Sequence, residues 1–132
     1  MSHSLIDLCI CQSGKLFDKC CDRFLSQGKF AKTPQQLMRS RYAAYALGGH
    51  GEYLLGTWAL EQRQGLDAVS LSMREFEWLG LEIVTFSQQS DRGYVEFIAT
   101  YMDHSGKPAA HHERSTFIRN QGKWFYESGD IL

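Results

Sequence analysis

Four cysteines lie close together near the start of the 132-residue sequence, and no further cysteine follows them. They are Cys9, Cys11, Cys20 and Cys21, which gives the spacing C-x-C-x8-C-C. Four thiolates in one short loop match the all-cysteine ligand set of a structural zinc site. Alternate residues of an extended segment point to the same side, so Cys9 and Cys11 can face one ion. The spacing predicts a bound Zn²⁺ that is structural and not catalytic, because four protein ligands leave no open coordination position.

Two other uses of these cysteines stay open on the spacing alone. The adjacent Cys20 and Cys21 could respond to oxidants, although the C-x-x-C spacing of a redox motif is missing. Disulfides would serve to join distant segments, and this cluster cannot hold residues 22–132 to anything. The metal is favoured over both. Nearby basic residues would offset the negative charge of a zinc–thiolate centre, and they are Lys15, Lys19 and Arg23.

Two arginines of a predicted helix are candidates for ligand binding. Arg39 and Arg41 are separated by about 200° around the helix axis, so at most one of them can face the inside of the domain. An inward arginine would either pair with a carboxylate or line a pocket and bind an anionic ligand. Both interpretations stay open at this point.

The run His111-His112-Glu113-Arg114 combines an imidazole, a carboxylate and a guanidinium. In a strand, His112 and Arg114 share one face, and His111 and Glu113 share the other. Neighbouring His112 and Glu113 therefore cannot pair through sequence proximity alone. Structural salt bridges are the plain interpretation, acid–base catalysis with a partner on another strand is a second, and a histidine-based metal site at His111 or His112 is a third.

Aromatic residues make up 13% of the sequence, which is enough to line a pocket as well as to fill a core. No segment resembles a phosphate-binding glycine loop, a nucleophile elbow or a metalloprotease helix. Together with the charged candidates above, the aromatic side chains give one set of predicted pocket residues. This set is Arg39, Arg41, Tyr42, Trp58, Trp78, Glu96, His112, Arg114, Trp124 and Tyr126.

Local signals predict helices after the cysteines and strands in the second half. Thr33 and Pro34 suit the cap and the first position of a helix that would end at Gly48. Shorter helices are predicted over 52–58 and 71–79, and the second could instead be a loop that leads into the sheet. Alternating residues then predict four strands, over 81–86, 93–102, 111–119 and 123–127. This order predicts an α+β domain in which helices cover one face of a curved antiparallel sheet.

Charge and hydropathy exclude several classes of protein. The formal net charge is −1, so no general basic field favours nucleic acid. Residues 1–32 are slightly basic, with five Lys or Arg against three Asp or Glu. No stretch reaches the roughly eighteen apolar residues that a membrane span needs. The first residues have neither the basic nor the apolar region of a secretory signal. We therefore expect a cytoplasmic protein with no membrane contact.

Residues 9–21 resemble the SEC-C motif, typically written CPCGSGKKYKKCC. Ile10 stands where the motif has proline and Gln12 where it has glycine, and all four cysteine ligands are kept. The motif binds zinc, and at the end of the bacterial translocase SecA it contacts partner proteins. The resemblance therefore implies a small zinc knuckle, with a protein partner, in the segment 1–32.

The rest of the chain is similar to the YchJ-like family of bacterial proteins. The similarity rests on segments spread through the sequence, among them Leu37-Met38-Arg39-Ser40-Arg41-Tyr42, His112-Glu113-Arg114-Ser115 and Gly122-Lys123-Trp124-Phe125-Tyr126. It implies that residues 33–132 form a domain of the nuclear-transport-factor-two-like fold, a cystatin-like cone. Dimers are common for this fold, so a homodimer is compatible with the resemblance.

Two functions from different classes are compatible with these features. In the first, which the sequence favours, the zinc knuckle contacts a partner protein and the cone holds a small ligand without catalysis. In the second, an enzyme of the isomerase, dehydratase or hydrolase type acts inside the cone. Its acid–base group would be His112 paired with Glu96 or Glu127, and Arg41 would hold an anion. Weak contact between nucleic acid and the lysine-flanked knuckle is a third alternative.

Overall fold

The structure is a computed structural model that describes residues 8–132. Within these residues, four α-helices and two short 3₁₀ turns precede four β-strands. The helices are α1 (Asp22–Leu25), α2 (Pro34–Leu47), α3 (Gly51–Gly56) and α4 (Ala68–Leu71), and the 3₁₀ turns are Phe17–Lys19 and Leu60–Gln62. The strands are β1 (Glu77–Gln89), β2 (Arg92–Met102), β3 (Pro108–Asn120) and β4 (Lys123–Ile131).

Helix α2 begins and ends where the sequence predicts. The Thr33 hydroxyl accepts a hydrogen bond from the Gln36 amide at 3.1 Å, and Pro34 occupies the first helical turn. The Gln36 side chain accepts from the Lys32 amide at 2.8 Å, one residue before the position that a standard capping box uses. At the other end Gly48 has a φ of 75°, which glycine adopts at little cost.

The four strands form one antiparallel sheet in the order β1-β2-β3-β4, which confirms the predicted meander. Gln121 and Gly122 both have positive φ in the two-residue turn between β3 and β4, as in a type I′ hairpin. Strand β4 is joined along its free edge to residues 57–59, because the Tyr126 amide donates to Thr57 and its carbonyl accepts from Ala59. Among residues 8–132, no helix is long and apolar enough to span a membrane.

The prediction of a helix over 71–79 is wrong, and its alternative of a loop leading into the sheet is closer. Helix α4 ends at Leu71, and β1 already begins at Glu77. Trp78 pairs with Tyr101, but a register shift lies between Trp78 and Gly80. This bulge interrupts the two-residue alternation of side chains, which is the signal that marks a strand in a sequence.

The cysteine knuckle (residues 8–21) is part of the main core. Its four cysteines lie in the same cluster of buried residues as Leu37 and Tyr42 of α2 and Val95 and Phe117 of the sheet. We call the side of the sheet that packs on α2 the inner face, and the opposite side the outer face. On β3, Phe117 is 1% exposed and lies on the inner face. The two-residue period then places Ser115, Glu113 and His111 on that face too.

Candidate functional site

The sulfur atoms of Cys9, Cys11, Cys20 and Cys21 all lie within 4.8 Å of one another. The Cys11 and Cys20 sulfurs are 3.6 Å apart, close to the roughly 3.8 Å that tetrahedral geometry with Zn–S of about 2.3 Å requires. All four side chains are buried and none forms a disulfide. The donor set fits one thiolate-bound metal ion, and the sequence prediction that these four residues come together is met by the geometry.

Hydrogen bonds among the cysteine thiols shift their pKa values in opposite directions. The Cys11 pKa is lowered because its sulfur accepts hydrogen bonds from Cys21 and Cys9. The Cys9 pKa is raised to about 11, chiefly by the hydrogen bond to Cys11 and then by burial, although its hydrogen bond to Cys21 opposes the rise. A bound cation would replace these shared protons and neutralise the thiolates, so metal binding releases protons.

Gln12 attaches the knuckle to the sheet. Its side-chain amide donates to the Leu79 carbonyl at 3.2 Å, and its carbonyl oxygen accepts from the Leu81 amide at 3.3 Å. Both contacts lie on β1, on either side of Gly80. Gln12 has a φ of 64°, a conformation that favours glycine, and the SEC-C motif has glycine at this position. The strain at Gln12 is offset by two hydrogen bonds that glycine could not make.

Arg39 lies at the knuckle, so its prediction as a pocket residue is wrong. Its guanidinium donates to the Cys11 carbonyl at 2.8 Å and lies 3.9 Å from the Cys11 sulfur. The sequence assigns the balancing charge to Lys15, Lys19 and Arg23. The two lysines are exposed, whereas Arg23 is half-buried and its Nε donates to the Cys20 carbonyl at 2.9 Å. Arg39 is 28 residues from Cys11 in sequence, and only the packing of α2 on the knuckle brings them together.

A cavity of about 380 Å³ lies between α2 and the inner face of the sheet. This volume is within the range of small-molecule sites, and the walls are mostly aromatic, as such sites usually are. Five of the predicted pocket residues line this cavity, and they are Arg41, Tyr42, Trp58, Trp78 and Tyr126. The other lining residues fall outside that predicted set, and they include Tyr45, Phe76, Phe97, Tyr101, His111 and Glu113.

Arg41 provides a buried positive charge beside this cavity. Its guanidinium donates to the Leu54 carbonyl at 2.8 Å and to the Thr57 hydroxyl at 2.6 Å. It lies 4.7 Å from the ring centre of Trp58 and 4.8 Å from that of Tyr126, both within cation–π range. Burial lowers the Arg41 pKa, and nearby tyrosines and Glu113 oppose that effect. Of the two arginines weighed from the sequence, Arg41 is therefore the one that faces the cavity.

His111 and Glu113 form the polar end of the cavity. The His111 Nε2 atom lies 2.8 Å from Oε1 of Glu113. The other carboxylate oxygen, Oε2, accepts from the Ser115 hydroxyl at 2.5 Å and from the Tyr126 hydroxyl at 3.1 Å. The Phe97 ring lies beside the imidazole, with 6.0 Å between ring centres. A histidine held by a buried carboxylate thus stands next to an aromatic cavity.

The remaining predicted pocket residues lie elsewhere, and their assignment to the cavity is wrong. His112 does pair with Glu96, at 2.8 Å, but both belong to the outer face of the sheet. Arg114 is on the same outer face, with its guanidinium 4.0 Å from the ring centre of Tyr94. Trp124 is 3% exposed in the core, and its indole donates to the Lys32 carbonyl.

The sequence contained the signal that separates the two faces of β3. Phe117 is the large apolar residue of this strand, and a large apolar residue identifies the face that packs on the core. His111 and Glu113 are separated from Phe117 by even numbers of residues, whereas His112 and Arg114 are separated by odd numbers. Counting back from Phe117 in steps of two therefore selects the inward pair.

Tyr53 makes part of the fold sensitive to alkaline pH. Burial raises the pKa of Tyr53 to about 12, against an ordinary value of about 10, and its hydroxyl lies 2.6 Å from that of Ser40. The folded-state pKa is higher than the unfolded-state value. The contribution of the neutral Tyr53 hydroxyl to stability is therefore complete below pH 10 and is lost as the pH rises towards 12. We expect Tyr53→Phe to cost about 1 kcal/mol at neutral pH. Urea denaturation between pH 8 and 12 should show this difference shrinking, and a constant difference would contradict the assignment.

Two models of known families match the sequence. The model described as the YchJ middle NTF2-like domain matches residues 33–129, and the SEC-C motif model matches residues 7–23. A UPF0225 protein of Sodalis glossinidius is 37% identical over 126 residues, which cover 92% of this chain and 81% of that protein. A UPF0225 protein of Serratia proteamaculans is 37% identical over 131 residues, covering 93% and 82%.

Two solved structures are similar to this one over most of its length. The solution structure of a SEC-C motif-containing protein from Rhodopseudomonas palustris has a TM-score of 0.86 and 39% identity, and the match covers 94% of this chain and 98% of that one. The crystal structure of a SEC-C motif-containing protein from Psychrobacter arcticus has a TM-score of 0.78 and 28% identity, with 94% and 82% covered. These matches agree with the α+β fold described above.

Proposed function

We propose that this chain, which belongs to the YchJ-like (UPF0225) family, binds a small and mostly apolar molecule in a cone-shaped cavity that a zinc knuckle holds in shape. The observation that carries this proposal is the cavity of about 380 Å³ with aromatic walls and a few polar groups at one end. Ligand sites of proteins have this composition, because apolar walls provide affinity and a few placed polar groups fix orientation.

The knuckle contributes to the cavity through a shared wall. Met38 and Tyr42 line the cavity and also belong to the buried cluster that contains the four cysteines. Burial, together with the neighbouring Cys11, raises the pKa of Tyr42 to about 12. A metal-filled knuckle therefore supports α2 from behind. We propose Zn²⁺ as the ion, since four thiolates in a closed tetrahedral site suit zinc, and reduced thiolates are consistent with a cytoplasmic protein.

Binding of 2-tetralone, a small aromatic ketone, tests the ligand site. Trp58 and Trp78 line the cavity, so their fluorescence should change saturably, with a dissociation constant of about 1 mM or tighter. Ala99→Leu should weaken binding because Ala99 lines the cavity and is 2% exposed. Ala110→Leu is the matched control, because Ala110 is exposed on the same sheet. No saturable signal, or equal loss in both variants, would refute the ligand site.

Contact with a partner protein through the knuckle is the second candidate function. The observation that favours it is that Lys15 and Lys19 stay exposed on the outer side of the knuckle while the cysteines are buried. An acidic surface would suit such a patch. In a pulldown, the double variant Lys15→Glu and Lys19→Glu should lose partners that the wild type captures, and metal chelation should remove the same ones. Capture that survives both treatments would refute this candidate.

A further inference from the structure

The geometry of His111 defines which of its ring nitrogens is available as a base. The Nε2 atom lies 2.8 Å from Oε1 of Glu113. A carboxylate accepts hydrogen bonds and does not donate them, so Nε2 carries the proton of a neutral imidazole. The lone pair is then on Nδ1. The imidazole lines the cavity, and the side chain is 34% exposed, so a proton that it takes up can exchange with water.

Glu113 is held in place by three donors. Besides His111, the hydroxyls of Ser115 and Tyr126 donate to its Oε2. The side chain is only 12% exposed. Gly129 on β4 leaves the space that the carboxylate needs, because a Cβ at this position would collide with it. The carboxylate therefore keeps a fixed position from which it can orient the imidazole and stabilise a positive charge on it.

The side of the cavity formed by α2 carries groups that can stabilise a negative oxygen. Tyr45 lines the cavity close enough to Arg41 and Glu113 for their charges to shift its pKa, which burial raises. None of the hydrogen bonds among residues 8–132 involves the Tyr45 hydroxyl, and its oxygen is not a buried atom left without a partner. The hydroxyl therefore has accessible surface, and Tyr45 is one of the residues that line the cavity. The Arg41 guanidinium adds a fixed positive charge beside it.

The residues of the cavity wall limit the reaction that these groups could carry out. Among the described residues, the wall contains no cysteine or lysine, and its one serine, Ser115, is 2% exposed and donates to Glu113. A base, a charge that stabilises the base, and donors for an oxyanion are the components of proton transfer next to a carbonyl group. Covalent catalysis through a thiol, an amine or a free serine hydroxyl therefore has no group available in the described wall.

We propose that the pair of His111 and Glu113 makes this cavity a proton-transfer site for small aromatic carbonyl compounds with an acidic hydrogen α to the carbonyl. Nδ1 of His111 takes the α proton, and the electron pair of the C–H bond forms a C=C bond while the carbonyl π pair moves to oxygen. Tyr45 and Arg41 stabilise the enolate, and Glu113 stabilises the imidazolium. Return of the proton to the same carbon exchanges it with solvent, and return to a conjugated carbon isomerises the substrate. The proposal rests on the ligand site proposed above.

The outer face of the same sheet provides a matched control. His112 pairs with Glu96 at 2.8 Å, the same distance as in the inner pair, and the two histidines are equally accessible at 34% and 36% side-chain exposure. The difference between the pairs is therefore the cavity, with its oxyanion donors and aromatic walls. His111→Gln and His112→Gln are the same substitution at neighbouring positions on opposite faces.

Proton exchange into 2-tetralone tests the proposal. The protein is incubated with the ketone in D₂O, and loss of the α-proton signals is followed by NMR against an equal concentration of free imidazole. We expect the wild type and His112→Gln to exchange at the same rate. His111→Gln should be slower by about 100-fold, the usual contribution of a general base, while tryptophan fluorescence shows that it still binds the ketone.

Glu113 is a positioning residue that acts through His111, so its test includes a spectroscopic measurement of the His111 ring. In Glu113→Gln, ¹⁵N shifts of the His111 ring should show a mixture of tautomers, and exchange should slow while binding persists. Three results would overturn the proposal. In the first, the wild type binds the ketone but exchanges its α protons no faster than free imidazole does. In the second, His111→Gln and His112→Gln exchange at the same rate. In the third, exchange is slow in Glu113→Gln although the His111 tautomer is unchanged. The first leaves the proposed ligand binding intact, whereas absence of binding would refute both proposals.

Discussion

Cys11→Ser is expected to lower the free energy of unfolding by about 4 kcal/mol or more, and to abolish stoichiometric metal binding. Cys11 is 0% exposed and lies in one core with α2 and the sheet. The loss of a ligand therefore releases the metal and also leaves the remaining buried thiols without their cation. Urea denaturation gives the free energy, and metal analysis by mass spectrometry gives the zinc content per chain.

Ser13→Ala is the control for this substitution. The Ser13 hydroxyl lies 3.2 Å from the Cys20 sulfur without being a ligand, so its removal should cost about 1 kcal/mol and leave the metal bound. Chelation of the wild type should reproduce the instability of Cys11→Ser and have no further effect on that variant. If Cys11→Ser matches the wild type in both stability and metal content, the knuckle does not hold the fold through a metal ion.

Arg41→Met is expected to destabilise the fold by about 2–4 kcal/mol and to weaken ligand binding. Arg41 is 5% exposed, and its loss removes a donor to the Leu54 carbonyl as well as the cation between the Trp58 and Tyr126 rings. It also removes the positive charge near the buried carboxylate of Glu113. The measurement is urea denaturation together with the tryptophan fluorescence titration.

Arg92→Met is the matched control for Arg41, because the same substitution is made at an exposed arginine. The Arg92 side chain is 67% exposed and forms a 3.3 Å salt bridge with Glu127, so we expect a loss of less than about 1 kcal/mol. Arg41→Lys should retain the charge and lose the hydrogen-bonding geometry, giving an intermediate stability. Equal effects of the Arg41 and Arg92 substitutions would show that the buried guanidinium has no special role.

Elements marked by local chemistry could be predicted from the sequence. The Thr33 cap, Pro34 and Gly48 define both ends of α2, and a glycine in the last hairpin turn separates two alternating strands. The four metal-ligating candidates could be predicted for the same reason, since all of them lie within thirteen positions. Signals of this kind depend only on near neighbours in the chain.

Features that depend on packing could not be predicted in this way. The sequence predicts that Arg39 lines the cavity, but it lies at Cys11, because the orientation of α2 on the knuckle decides its partner. The sequence predicts an acid–base pair at His112, which the structure places on the outer face with Glu96, and not the inward pair His111–Glu113. The inner face of a strand is defined only by what packs on it. The buried Phe117 indicates which face of β3 is the inner one. It is a single signal, however, on a strand that has charged residues on both faces.

The most direct test of the ligand site is an NMR measurement of contacts between bound 2-tetralone and the protein. If the cavity is the binding site, intermolecular NOEs will connect the aromatic protons of the ketone with the rings of Tyr45, Trp78 and Phe97, all of which line it. The Tyr94 ring on the outer face will show none, since it lies beside Arg114 and away from the cavity. NOEs to Tyr94 without any to the cavity rings, or no NOEs under saturating ketone, would contradict the proposed function.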